Sequence, residues 1–220
     1  MHKTIQNLIQ INEEIKAKIS ELNFQKYKPE IIAVSKTFKL EHISHILDYG
    51  HIHFGENKVQ EAVDKWTKIK KKKSYIKLHM IGRLQTNKVK HAIKIFDFIH
   101  SVDSEKLAKK ISEEQKKTGL VPKIFIQVNI GKEEQKSGIS LNNFENFYDY
   151  CKSLDLNIIG TMCIPPLNQN SSIFFSKMYE LNNKNGINHL SMGMSSDYIE
   201  AIKFKSTFLR IGSKIFGKRN

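Results

Sequence analysis

Eight short apolar runs along this chain alternate with longer segments whose apolar residues recur every three or four positions. The short runs lie at residues 31–34, 51–54, 77–81, 96–102, 123–130, 156–162, 188–192 and 208–211. Runs of that length, rich in Ile, Val and Phe and bounded by turn residues, read as strands. Several are apolar throughout rather than alternating, the habit of strands buried on both faces in a parallel sheet. The intervening segments predict helices over 41–49, 58–70, 87–95, 104–119, 142–153, 172–183 and 197–205, with one more, over 4–22, ahead of the first strand. Ser104 is placed to cap its helix and Gly119 to end it. Pro165 and Pro166 close the sixth strand, since neither can continue a central ladder. Strict alternation of this kind at 220 residues predicts one (β/α)8 TIM barrel over 1–220, with an extra N-terminal helix. An open doubly wound sheet is the alternative, but the glycine fingerprint it would carry after its first strand is missing.

Composition narrows the function classes. No stretch reaches the uninterrupted apolar length of a membrane span, and no apolar signal region follows Met1, so a soluble cytoplasmic protein with no membrane partner is expected. Cys151 and Cys163 are too few for a four-cysteine zinc site and fit a reducing compartment. The formal net charge of +14 invites a nucleic-acid reading. Yet only Arg83, Arg210 and Arg219 among the 36 basic residues are arginine, the side chain that reads phosphates and bases with a rigid fork. The excess therefore reads as lysine on solvated helix faces, densest at residues 70–73, and no nucleic-acid partner is expected.

A barrel collects its chemistry at the carboxyl ends of its strands. There the chain offers Ser35 and Lys36, Gly55, Glu56 and Asn57, Gly82, Ser101, Asn129, Met162, residues 191–195, and Arg210, Gly212 and Ser213. Lys36 is a candidate amine nucleophile, set against the plainer reading of a solvated lysine opening a loop. The loops after strands seven and eight are small and hydroxyl-bearing, which suits a phosphate dianion. Arg210 falls inside an apolar strand, so its guanidinium either meets a ligand, forms a structural ion pair or turns outward. The spacing leaves these alternatives open.

A set of motifs in order along nearly the whole chain weighs more than any one of them. They are Ala33-Val-Ser-Lys-Thr37; Phe54-Gly-Glu-Asn57 with Gln60 and Glu61; His79-Met-Ile-Gly82 with Leu84, Gln85, Asn87 and Lys88; Ser137-Gly-Ile139; Gly160 with Met162, Ile164 and Pro165; Leu190-Ser-Met-Gly-Met-Ser195 with Asp197; and Arg210-Ile-Gly-Ser-Lys-Ile-Phe-Gly217. In these the chain resembles the YggS/PROSC family of pyridoxal phosphate (PLP) homeostasis proteins, whose barrel is like the N-terminal domain of alanine racemase. The resemblance implies pyridoxal 5′-phosphate as cofactor, covalently held as a Schiff base on Lys36. It implies Ser195, Gly212 and Ser213 around the phosphate, Arg210 beside the pyridine nitrogen, and Asn57 and Met162 in the cofactor pocket. It also implies a carrier or reservoir in PLP homeostasis, with apo PLP enzymes and amino acids as partners and a monomer as the working form. A weak amino-acid racemase is the alternative. Efficient racemisation is not expected, because alanine racemase adds a second domain and an opposing tyrosine base, for which only Tyr198 suggests itself here. Lys136 matches a lysine linked to cofactor handling, although surface solvation is its plainer reading.

Overall fold

The structure, a computed structural model, describes residues 1–131, 133, 135 and 137–217; Lys136 lies outside them. Its strands are β1 (Glu30–Val34), β2 (His53–Glu56), β3 (Lys77–Met80), β4 (Phe98–Val102), β5 (Lys123–Val128), β6 (Ile158–Cys163), β7 (His189–Met194) and β8 (Phe208–Ile211). Each pairs in parallel with the next and β8 returns to β1, closing the predicted eight-stranded barrel.

Among the described residues nine α-helices accompany the strands: α1 (Lys3–Glu21), α2 (Leu40–Asp48), α3 (Val59–Lys72), α4 (Val89–Ile95), α5 (Glu105–Thr118), α6 (Phe144–Ser153), α7 (Ser171–Lys184), α8 (Tyr198–Lys203) and α9 (Ser213–Phe216). The four-residue α9 has no counterpart in the periodicity, which is too short there to register. Because α9 is so short, the outer layer after β8 is completed by α1, which packs against α8, α9 and α2 and buries Leu8, Ile11 and Ile15. Asn7 Nδ2 on α1 donates to the Ile215 carbonyl of α9 at 3.0 Å.

Strand ends shift by one to a few residues from expectation. The largest consequence is at β2, expected over 51–54 but formed by His53–Glu56. Its ladder pairs Gly55 with His79 and Glu56 with Met80, so both residues lie in the strand rather than after it. Ser101 and Ser191 likewise sit buried inside β4 and β7. Ser104 precedes α5 in extended conformation without a side-chain cap bond, whereas Gly119 ends that helix at φ 71° as anticipated.

The strand alternation sorts the core in two. Outward residues pack under the helices in one large cluster. Ile32, Val34, Phe98, Phe125, Met162 and Phe208 fill the barrel interior. Glycine is required where these layers touch: a Cβ on Gly160 would lie 2.4 Å from the Phe125 ring and from the His189 carbonyl oxygen.

Candidate functional site

Lys36 follows β1 by two residues, half-buried, and the chain on both sides of it is tied down. Ser35 N–H donates to the Gly55 carbonyl at 3.0 Å. The Ser35 carbonyl accepts from Lys65 Nζ at 2.9 Å, and Thr37 N–H donates to Glu61 Oε1 at 2.7 Å. Thr37 adopts φ 68°, a left-handed conformation that a β-branched residue keeps only under external constraint. The same Lys65 ammonium donates to Glu56 Oε1 at 2.9 Å and Glu61 Oε1 at 3.0 Å, so all three of its donors are engaged. Glu56 is fully buried behind the barrel wall, where its Oε1 also accepts from Ser35 Oγ at 2.7 Å and Trp66 Nε1 at 2.9 Å. Desolvation nevertheless raises its pKa above the ordinary glutamate value, with Lys65 pulling the other way. None of Glu56, Lys65 and Trp66 was expected as support for Lys36. Glu56, Glu61 and Lys65 come together only through the β2 register and one turn of α3.

Arg210 points into the barrel and is buried. Nη1 donates to the Ser191 carbonyl at 2.5 Å and to Ser191 Oγ at 2.8 Å, and Nη2 donates to the Cys163 carbonyl at 2.8 Å. These contacts take three of its five N–H donors. Among the described residues no carboxylate lies within ion-pair distance of it, so the structural ion pair is replaced by neutral acceptors. Burial works against its charge and lowers its pKa from the usual arginine value.

Across the mouth, Ser195 Oγ accepts from Gly212 N–H at 3.2 Å and Lys214 N–H at 3.4 Å, drawing the loops after β7 and β8 together. Both contacts use the oxygen as acceptor, which leaves the hydroxyl proton for another partner. Gly193, at φ 88° near the end of β7 where the register with β8 shifts, has to be glycine, since a Cβ there would stand 2.6 Å from that of Ala201. Opposite these loops, Gly82 lets the Asn57 backbone close over the end of β3: a Cβ would meet the Asn57 carbonyl oxygen at 2.4 Å and its Cα at 2.8 Å. Gly82→Ala is therefore expected to push the β2–α3 loop outward and destabilise the chain by about 1–3 kcal/mol. Urea denaturation checks the magnitude, and a crystal structure of the variant checks the displacement of Asn57.

These parts surround a cavity of about 570 Å³ at the carboxyl ends of the strands, within the range that holds small cofactors. Lys36, Asn57, Ser195, Arg210, Gly212 and Ser213 all line it. Met162 does not; it is fully buried in the barrel interior. The lining residue next to it along the chain is Ile164, which follows β6 and precedes the prolines. Apolar lining comes also from Val34, Ile81 and Met194. The charged lining among the described residues is Lys36, Arg83 and Arg210, with no Asp or Glu, so the cavity suits an anion with an apolar part. Tyr198 stands elsewhere. It is buried among the outer helices, where its hydroxyl donates to Glu14 and accepts from Lys214 Nζ at 2.8 Å.

Comparison with known proteins agrees with this geometry. Residues 12–220 match the family model described as alanine racemase, N-terminal domain. The pyridoxal phosphate homeostasis protein of Aquifex aeolicus is 36% identical over 200 residues, covering 86% of this chain and 87% of that one. PipY of Synechococcus elongatus, solved with PLP bound, is 32% identical with a TM-score of 0.79, covering 92% of this chain and all of that one. Alanine racemase of Clostridium difficile, at 13% identity and a TM-score of 0.73, covers 99% of this chain and 57% of its own, and shares the fold.

Proposed function

The chain belongs to the pyridoxal phosphate homeostasis proteins, a family built on the N-terminal domain of alanine racemase, and on that premise we propose that it holds pyridoxal 5′-phosphate reversibly on Lys36 as a carrier or reservoir. The observation that carries this reading is the cavity itself, which gathers Lys36 and a buried Arg210 without a carboxylate among its described lining residues. Bound PLP supplies an aldehyde that condenses with a primary amine and a conjugated ring that withdraws electrons. Lys36 supplies that amine as a Schiff-base partner. Ser195, Gly212 and Ser213 offer a hydroxyl proton and backbone donors for the phosphate, and Asn57 flanks the ring. Met162 acts from beneath by packing. Arg210 cannot give up a proton at accessible pH, so a pyridine nitrogen facing it stays unprotonated and the ring remains a weak electron sink. Its partners on this reading are apo PLP enzymes and free amino acids, met in the cytoplasm by a monomer.

The test is an absorption spectrum of the purified protein before and after borohydride, with a peptide map of the reduced product. Visible absorption that is lost on reduction, with the adduct on the peptide containing Lys36, is the expected result. A colourless protein that gains no such absorption on adding PLP overturns the reading.

Holding without efficient catalysis is the second part of the proposal, and the placement of Tyr198 supports it. With its hydroxyl engaged by Glu14 and Lys214 outside the barrel wall, it is out of reach as an opposing base. Cα deuterium exchange into alanine or serine is expected to run no faster with the loaded protein than with free PLP. Turnover on the order of 1 per second or faster would identify an enzyme instead.

A further inference from the structure

Three histidines on neighbouring strands stand in line inside the barrel. His100 Nδ1 lies 2.9 Å from Ser191 Oγ, His100 Nε2 lies 2.9 Å from His79 Nδ1, and His79 Nε2 lies 2.9 Å from His53 Nδ1. At the far end His53 Nε2 faces Glu30 Oε2 at 3.8 Å, on the amino-terminal side of the sheet. At the near end is Ser191 Oγ, the hydroxyl that accepts from Arg210.

Arginine has no acceptor, and that settles the direction of every bond. Arg210 donates to Ser191 Oγ, so the serine proton needs an acceptor of its own, and His100 Nδ1 is the one within reach. His100 then carries its proton on Nε2 and donates to His79 Nδ1, and His79 Nε2–H donates to His53 Nδ1. This leaves His53 with an Nε2–H, the hydrogen that suits the Glu30 carboxylate in front of it. Run in reverse, the line would leave the Ser191 proton without an acceptor and a bare nitrogen facing Glu30. The two ends therefore agree independently.

Two of the three rings are also held by stacking. His79 stacks on Phe98 and His100 on Phe125, each with centroids 4.2 Å apart and interplanar angles of 8° and 12°. Burial lowers the pKa of all three imidazoles, that of His53 to about 4, so they are neutral at pH 7 and each has one N–H to place.

We propose that Ser191 and His100 are positioning residues for Arg210, anchored through His79 and His53 by a one-way hydrogen-bond line that crosses the barrel from its amino-terminal face to the cavity. The guanidinium is thereby aimed from below, and its remaining donors are presented to the cofactor; this last step rests on the PLP reading given above. The line gives Arg210 a single orientation although no carboxylate holds it.

Long-range ¹H–¹⁵N spectra of the full-length protein, histidine-labelled and free of PLP, test the line. His53, His79 and His100 are expected as neutral rings protonated on Nε2. In Ser191→Ala, His100 loses its fixed partner and is expected to populate both tautomers. Loaded with PLP, that variant should show a shifted visible absorption and release the cofactor about tenfold faster, the scale of one lost hydrogen bond to a charged group. A proton on Nδ1 of any of the three wild-type rings overturns the proposal, as does a Ser191→Ala variant unchanged in both His100 tautomer and PLP spectrum. If Ser191→Ala does not fold, the wild-type tautomers decide. Failure of the wild-type protein to take up PLP would count against the cofactor reading, whereas mixed tautomers in the cofactor-free protein would count against the line.

Discussion

Lys36→Ala is expected to abolish the borohydride-stable PLP adduct altogether, from one per chain to none, while the protein stays folded. The amine is the one part of the site that no other described lining residue can replace, because Arg83 and Arg210 are guanidinium groups that do not form a Schiff base with an aldehyde at neutral pH. The chain is rich in lysine, so the prediction has a sharp alternative: an adduct surviving in the variant and mapping to another lysine would show the cavity is not the covalent site. Folding should be little affected. The backbone around position 36 is held by Ser35, Glu61 and Lys65, whose bonds the substitution leaves in place, and the unfolding midpoint in urea is expected to correspond to a change within about 1 kcal/mol. Weak, reducible-agent-insensitive binding of PLP through Arg210 and the phosphate loops should remain, measurable by equilibrium dialysis.

The largest stability effect is expected from Lys65→Met. The methionine fills similar space but removes all three hydrogen bonds of the ammonium, leaving Glu56 buried with Ser35 and Trp66 alone and the Ser35 carbonyl without its donor. Removing one partner of a buried ion pair costs about 3–5 kcal/mol, against the fraction of that lost with an exposed pair. The pH dependence identifies the cause. Glu56 already has a folded-state pKa raised above 4.5 by desolvation, and losing Lys65 raises it further. A carboxylate raised on folding binds its proton more readily in the native state, so stability falls as pH rises from the unfolded value through the folded one. The deficit of Lys65→Met should therefore grow as pH rises above 4.5 and shrink on acidification back toward it. Urea midpoints for wild type and variant at both ends of that window decide it; a deficit independent of pH would mean that lost packing, rather than the stranded charge, is responsible. PLP uptake should weaken in the variant as well, since Lys65 and Glu61 together cage the backbone that presents Lys36.

Periodicity is enough to find the eight strands and the barrel because each strand here is buried on both faces and each helix on one, so the two periods do not blur. It places Lys36 and Arg210 at the cavity for the same reason: each is a lone cation in or just after an apolar run. What stays illegible depends on register. Glu56 reads as a polar residue just after a strand, and its pairing with Lys65 and Trp66 appears only when Gly55 is known to face inward and Glu56 outward. His53, His79 and His100 read as ordinary members of three strands; nothing in their spacing puts their rings at hydrogen-bond distance, which requires the stagger of β2, β3 and β4 around the closed sheet. Met162 depends on where its strand ends. Its place at the expected end of β6 suggests a wall residue, but the strand runs on through Cys163 and carries the wall to Ile164.

The placement of α1 sets an order of events for the nascent chain. Its apolar stripe of Leu8, Ile11 and Ile15 leaves the ribosome ahead of every strand, yet two of the three helices that pack against it, α8 and α9, follow the seventh strand. The bond from Asn7 to Ile215 spans 208 residues. Until the final strand closes the barrel, this first helix has no complete surface to dock on and travels with its oily side exposed. Assembly should accordingly be slow and late-committing, with the seam between the two ends of the chain as the last joint to form and the first to open.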